Sequence, residues 1–296
     1  MVYHGEQYVT ATVLSVENRK GGVGKTTTAL VLGVGLARRL HADGGGNVLI
    51  VDMDPQGDTA RGLGLNPGDR CVSEVLLGDG SLDVLRANVM PADRSRDGGP
   101  PRPNLFIMPA SDRLSEAKED ILTEFALLAA RAMRTRRSNN DRHLVEILDH
   151  KLGLARQAFT YIIIDCPPTL DLFQQAIHQF ADYAIVPVKL DFHGASATGR
   201  HTDNILQDQA EGIDITIAAI VPTFVDTRLN LTKAMMDNLT RVYGRKVITR
   251  PIVSTVRVAE APASGGLTVL EYMPGSPAAV AYEDLVDRVY TQLRGN

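Results

Sequence analysis

With 296 residues and 44% hydrophobic content, the chain is long enough for one large α/β domain with a sizeable core. A net charge of −4 excludes binding to nucleic acid through overall basicity, so any DNA contact has to come from a local patch. Cys71 and Cys166 lie far apart with no metal-ligand spacing, which fits a reduced cytoplasmic setting, and no apolar run reaches the roughly 18–20 residues that span a bilayer. Residues 1–10 read as a short polar extension and 11–296 as a single domain.

The first predicted element is a strand over Ala11–Val16. It runs into Asn18-Arg19-Lys20-Gly21-Gly22-Val23-Gly24-Lys25-Thr26-Thr27-Thr28, and a helix is predicted over Ala29–Leu40. Strand, Gly-rich loop and helix in that order make a phosphate cradle. Gly21, Gly22 and Gly24 leave the backbone N–H groups free to close around phosphate oxygens, with Val23 between them, and the helix N-terminus adds its positive dipole end. Lys25 is placed to reach the β- and γ-phosphates, the Thr26 hydroxyl to coordinate Mg²⁺, and Thr27 to complete the nucleoside triphosphate site. The ordinary P-loop spacing puts glycine at position 19; here Arg19 stands there, followed by a second lysine, Lys20.

Asn47–Asp52 is a continuous apolar run, the pattern of a strand buried on both faces of a parallel sheet. It delivers Asp52-Met53-Asp54-Pro55-Gln56-Gly57 at its C-terminal end, where open α/β sheets hold ligands. Short helices are predicted over Cys71–Leu77 and Leu82–Val89, a Pro-rich surface loop over Pro91–Asn104, a strand over Leu105–Pro109 and a long helix over Ser115–Arg137. Arg131, Arg134, Arg136 and Arg137 near the end of that helix complement its dipole, and a polar turn follows at Ser138–Asp141. Tyr161–Asp165 is a second buried strand ending in a carboxylate, the Walker B arrangement that holds the Mg²⁺ shell. Further strands are predicted at Tyr183–Val188, Ile215–Val221, Lys246–Ile248 and Leu267–Leu270, with helices over Ala197–Ala210, Leu229–Tyr243 and Pro277–Leu293. Strands alternating with helices call for a doubly wound, mostly parallel twisted sheet with helices on both faces.

The motif Lys20-Gly21-Gly22-Val23-Gly24-Lys25-Thr26-Thr27 resembles the deviant Walker A motif of the ParA/MinD superfamily. Three further stretches extend the resemblance to ParA/Soj-type partition ATPases: Asp52–Gly57, Tyr161–Pro168, and Val256-Arg257-Val258-Ala259-Glu260-Ala261-Pro262. The resemblance implies an ATP-dependent sandwich homodimer that binds nonspecific DNA, hydrolyses ATP slowly with Mg²⁺, and is stimulated by a ParB-type partner. Lys20 would reach the nucleotide of the other subunit, Lys25 would act in its own site, and Asp54 would position the attacking water. Asp52, Asp165 and Thr26 would hold the magnesium and its water shell, with Thr26 a direct ligand, while a Glu260–Pro262 turn would border the adenine. Arg228 and Arg257 match positions that carry DNA contacts in this family. The protein would be cytoplasmic and nucleoid-associated, with no membrane contact.

Other readings are a relative that positions a protein cargo on the nucleoid, a MinD-like membrane ATPase, a nitrogenase iron-protein-like reductase and a DNA-bound protein with vestigial ATP binding. The acidic run Tyr282–Arg288 speaks against the second, the cysteine positions against the third, and the full set Lys20, Lys25, Asp54 and Asp165 against the fourth. The stretch 193–199 departs from the family's A-L-E-G pattern. The 91–104 loop and the Arg-rich 131–142 region look like additions that bear on the partner-binding surface.

Overall fold

A computed structural model of the chain describes residues 10–135, 144–169, 173–190, 194–226 and 228–293. The polar extension up to residue 9, Arg136, Arg137, the turn at 138–141 and His193 lie outside the described residues.

Among the described residues, seven strands form one sheet in the order β3-β4-β2-β5-β1-β6-β7. They are β1 (Thr12–Val16), β2 (Val48–Asp52), β3 (Met90–Pro91), β4 (Leu105–Met108), β5 (Tyr161–Asp165), β6 (Tyr183–Lys189) and β7 (Thr216–Thr223). Every neighbouring pair is parallel except the two-residue edge strand β3, which runs antiparallel to β4. All five residues of β1, β2 and β5 are buried, as their unbroken apolar sequences require when both faces are covered.

Alternate side chains feed two cores. On one face Leu14, Ile50, Ile163 and Ile185 pack under α1 (Lys25–Ala42) and the closing helix, which we number α13 (Pro277–Gln292). On the other face Val13, Leu49, Ile162 and Val186 pack under helices contributed by 72–85, 114–121, 147–155, 173–180, 205 and 235–239. Close approach of α1 depends on two helical glycines. A Cβ at Gly33 would lie 2.5 Å from Ile50 Cδ1, and one at Gly35 would lie 2.6 Å from Val286 Cγ2 of α13.

The remaining helices are α2 (Asp58–Gly62), α3 (Val72–Leu77), α4 (Leu82–Asn88), α5 (Arg113–Thr135), α6 (Ile147–Leu152), α7 (Ala155–Ala158), α8 (Phe173–Phe180), α9 (Gly194–Ala210), α10 (Asn230–Tyr243), α11 (Val256–Ala263) and α12 (Val269–Tyr272). Four sequence expectations need correction. Leu267–Leu270 is not a strand: Thr268 caps α12 in a capping box with Glu271, and this reciprocal bond outweighs the short apolar run. Lys246–Ile248 contributes only a single bridge, Ile248 to Ile220. Glu260–Pro262 is no turn but the last part of α11, because Thr255 caps that helix through the Arg257 N–H and Pro262 falls near its end. The 91–104 segment is only partly a surface loop, since Ala92 and Arg102 are buried in it.

Candidate active site

The loop after β1 is tied down at both ends. The Asn18 amide donates to the Pro187 carbonyl at 2.7 Å and its oxygen accepts the Lys20 N–H at 3.0 Å. The Thr223 hydroxyl, at the end of β7, donates to the Val23 carbonyl at 2.8 Å. Between these anchors Gly21 and Gly22 are exposed, with open space where their side chains would stand. Gly24 takes the left-handed conformation (φ 89°) and turns the chain into α1, so Lys25, Thr26 and Thr27 form the first turn of that helix. That turn carries no acidic residue and leaves its backbone donors to an anion.

Asp52 and Asp165 are in-register neighbours at the C-terminal ends of β2 and β5, and Val16, the last residue of β1, pairs with Asp165 on its other side. Asp52 is held by the Thr59 hydroxyl at 2.6 Å and by the N–H groups of Thr59 and Asp54 at 3.2 and 3.0 Å. Burial pushes its pKa up to about 6 despite these bonds. Burial likewise raises Asp165 well above the usual carboxylate range, with Asp52 adding to the rise and the Thr26 side chain and Lys25 opposing it. Asp165 Oδ1 is buried with no hydrogen-bond partner. A divalent cation fits this pair: it would satisfy the orphaned oxygen and favour the ionised forms that burial disfavours. Among the described residues no group of three or more His, Cys, Asp or Glu forms a metal cage. Mg²⁺ does not need one, since it binds through one or two carboxylates, phosphates and waters.

Lys25 is 7% exposed and donates from Nζ to the Lys20 carbonyl at 3.3 Å. Burial lowers its pKa, while Asp165, Cys166 and Asp54 pull it back up. Lys20 is half-buried at the edge of the loop, and Asp54 is half-buried with its Oδ1 accepting the Gln56 N–H at 3.0 Å. Thus Lys25, Thr26, Asp52, Asp54 and Asp165 come together at the C-terminal edge of the sheet, beside the glycine loop.

A cavity of about 400 Å³ opens beside Thr26 and Thr27. Asp58, Arg61 and Gly62 of α2 form one wall; Val258, Pro262, Leu267, Thr268 and Val269 form another. Pro262 therefore faces the site, whereas Glu260 does not line the cavity and pairs with Arg257 at 3.0 Å. Arg228 is 87% exposed and is held by Asp226 at 2.6 Å, a contact that brings Asp226 down to about 2. The segments carrying Arg228 and Arg257 run side by side through the Val225–Val253 bridge. Sequence reasoning missed Thr59, Thr223 and Asn18, which hold the site together, and the α2 wall. A hydroxyl two residues after the Asp52–Gly57 motif was the signal available for Thr59.

A family profile described as an AAA domain matches residues 11–215. The chain is 30% identical over 281 residues to the sporulation initiation inhibitor protein Soj of Bacillus subtilis, covering 94% of this chain and 97% of that protein. It is 31% identical over 287 residues to the chromosome partitioning protein ParA of Caulobacter vibrioides, covering 95% of each. The chain belongs to the ParA/Soj family of partition ATPases. Among solved structures it resembles cobyrinic acid a,c-diamide synthase from Mycobacterium smegmatis with bound ATP analogue and magnesium (TM-score 0.67, 25% identity, 96% and 98% of the two chains). The ParA/Soj-type chain is therefore an ATPase on a doubly wound P-loop fold, and the site assembled above holds the glycine loop, lysine and paired carboxylates that ATP with a divalent cation calls for. No helix among the described residues is long and apolar enough to cross a membrane.

Proposed function

We propose that this ATPase works as a nucleotide-gated switch carried on DNA, dimerising around ATP, binding DNA without sequence preference, and releasing it after hydrolysis stimulated by a ParB-type partner on the nucleoid. The observation that carries the reading is the pairing of one buried lysine, Lys25, inside the carboxylate cluster with a second, Lys20, at the more open edge of the same loop. Lys25 holds the β- and γ-phosphates of its own nucleotide against the first-turn N–H groups of α1. Lys20 serves the nucleotide of a second copy, so that charge neutralisation is completed only on assembly. Asp54 orients the attacking water. Thr26, Asp52 and Asp165 would hold Mg²⁺, which when bound neutralises developing charge on the phosphate oxygens. The adenosine half lies in the 400 Å³ cavity against Pro262, with Glu260 acting on its border through α11.

Arg228 and Arg257 carry the DNA contacts. Both are engaged by carboxylates in the free chain, Asp226 and Glu260, so DNA has to displace these partners. A membrane-bound reading finds no support in α13: Ala278, Ala281, Tyr282, Leu285, Val286 and Val289 of that helix are used in the core beneath α1.

The deciding experiment is binding to nonspecific duplex DNA with ATP, with ADP and without nucleotide, at two salt concentrations, for wild type and Arg257→Ala. Binding that requires ATP and weakens with salt and with the substitution supports the switch. ATP-dependent dimerisation with no DNA binding in any state removes the DNA half of the proposal.

A further inference from the structure

The 91–104 segment reaches the back of the cavity walls beside Thr26 and Thr27 through one buried arginine. Arg102 and Glu271 form an ion pair whose side chains are 1% and 6% exposed. The guanidinium donates from Nε to Glu271 Oε1 at 2.8 Å, from Nη2 to Glu271 Oε2 at 3.0 Å and to the Gly266 carbonyl, and from Nη1 to the Leu63 carbonyl at 2.9 Å. Leu63 directly follows α2, one wall of the cavity. Gly266 and Glu271 flank Leu267–Val269, which belong to the other wall. Glu271 in turn accepts the Thr268 N–H at 2.7 Å and the Thr268 hydroxyl at 2.9 Å, and Thr268 lines the cavity.

The seam behind the cavity is tight. A Cβ on Gly266 would fall 2.2 Å from the Gly64 nitrogen, so the two backbones meet there with no room for a side chain. The arginine itself is held by its own segment: Asp93 accepts the Arg102 N–H at 3.1 Å and the Ser95 N–H at 3.0 Å. A second arginine of the segment, Arg94, donates to the Gly265 carbonyl at 2.6 Å.

We propose that Arg102 is a positioning residue for nucleotide binding: it stitches α2 to the turn between α11 and α12, and so lets the 91–104 segment set the width of the nucleoside end of the ATP site. This rests on the cavity holding the adenosine half. A planar fork that bridges two chain segments at once fixes their separation, which a single apolar contact cannot do. The P-loop and its lysines take no part in the stitch, so phosphate binding and nucleoside binding should separate.

The test compares wild type, Arg102→Lys, Arg94→Ala and the apolar pair Arg102→Met/Glu271→Met. The pair guards against an orphaned buried charge, because replacing both partners of a buried ion pair by apolar residues is often neutral for stability. Steady-state KM and kcat for ATP are measured beside inhibition by inorganic tripolyphosphate, which engages the phosphate cradle alone. In the folded Met pair KM for ATP should rise about tenfold with kcat within about twofold of wild type, the mark of lost uniform binding. Tripolyphosphate inhibition should not move, and Arg102→Lys should recover part of the loss. Arg94→Ala should raise KM roughly two- to threefold in the same manner. A wild-type KM in the folded Met pair, or in Arg94→Ala if the pair does not fold, overturns the proposal. A fall in tripolyphosphate binding that matches the fall for ATP overturns it too. Should wild type itself bind ATP no more tightly than tripolyphosphate, it is the adenosine reading of the cavity that fails.

Discussion

At the scale of single residues, the two lysines of the loop should separate in function. Lys25 is surrounded by protein and balanced against Asp165 and Asp54, so Lys25→Gln removes a charged donor from inside the phosphate site. Charged hydrogen bonds contribute about 1.5–3 kcal/mol, so ATP and ADP should both bind roughly ten- to a hundredfold more weakly, read by a fluorescent-nucleotide titration. Lys20→Gln should leave ADP affinity near wild type while abolishing the ATP-dependent dimer in sedimentation and lowering kcat. Equal loss of ADP binding in both variants would remove Lys20 from its role across the interface. Asp226 offers a third test. Its carboxylate takes both the Nε (2.9 Å) and Nη2 (2.6 Å) donors of Arg228, occupying the fork that would meet a DNA phosphate. Asp226→Asn should therefore tighten ATP-dependent DNA binding several-fold and steepen its salt dependence, since one more cation is free to displace counterions. Unchanged or weaker binding would show that Arg228 does not touch DNA.

At the scale of elements, the parallel strands were legible because burial on both faces writes itself as an unbroken apolar run, as in Val48–Val51 and Tyr161–Ile164. The loop, the two strand-end aspartates and the first turn of α1 were legible for a related reason: phosphate chemistry demands glycines, lysines and hydroxyls at fixed offsets. Most of the cavity wall was not, Pro262 apart. Its geometry comes from contacts between segments far apart in the chain, such as Arg102 with Leu63 and Gly266, and no local period encodes these. The Thr268–Glu271 capping box could have been read as a helix start, but the apolar pair Val269-Leu270 inside it invited a strand. Packing of α1 was equally hidden, since glycine normally weakens a helix by about 1 kcal/mol. Gly35 is explained by what it touches: a Cβ there would meet both methyls of Val286 at 2.6 and 2.8 Å. Gly35→Ala should then lower stability by about 1–3 kcal/mol, overpacking exceeding the gain in helix propensity. Adding Val286→Ala should restore most of it in a thermal-melting double-mutant cycle. A stabilised Gly35→Ala single variant would show that α1 and α13 are not in close contact.

At the scale of the whole molecule, one buried charge cluster makes stability depend on pH. His178 of α8 is fully buried between Glu17, the residue that leaves β1 for the phosphate loop, and Asp208 of α9. Its Nε2 lies 2.9 Å from Glu17 Oε2 and its Nδ1 2.5 Å from Asp208 Oδ2; Gln174 bridges to Glu17, and Gln175 joins Asp208 and Glu211. Burial works to discharge the imidazole, but Glu17 and Asp208 more than offset it and lift its pKa from 6.5 to about 10. The sign follows directly. Below about pH 6.5 both folded and unfolded chains carry the proton, and the stabilisation is complete; between 6.5 and 10 the unfolded chain releases it while the folded chain keeps it. Stability should thus fall as pH rises across that window, by up to about 1.4 kcal/mol per unit from this one group. Asp52, raised by burial to about 6, gives the same sign in a window that closes near that value, and Asp165 is raised by burial in the same direction, so a substitution at Glu17 is what isolates the part of the decline that belongs to His178. Urea unfolding at pH 6, 7.5 and 9 checks it, with Glu17→Gln as the control that keeps an acceptor and removes the charge. The slope between pH 7.5 and 9 should be shallower in the control than in wild type. A wild-type stability that is flat from pH 6.5 to 9 would mean that His178 is neutral in its cleft. Glu17 and Asp208 would then stand as two uncompensated carboxylates joining the root of the phosphate loop to α8 and α9, and Glu17→Gln should raise stability instead of lowering it.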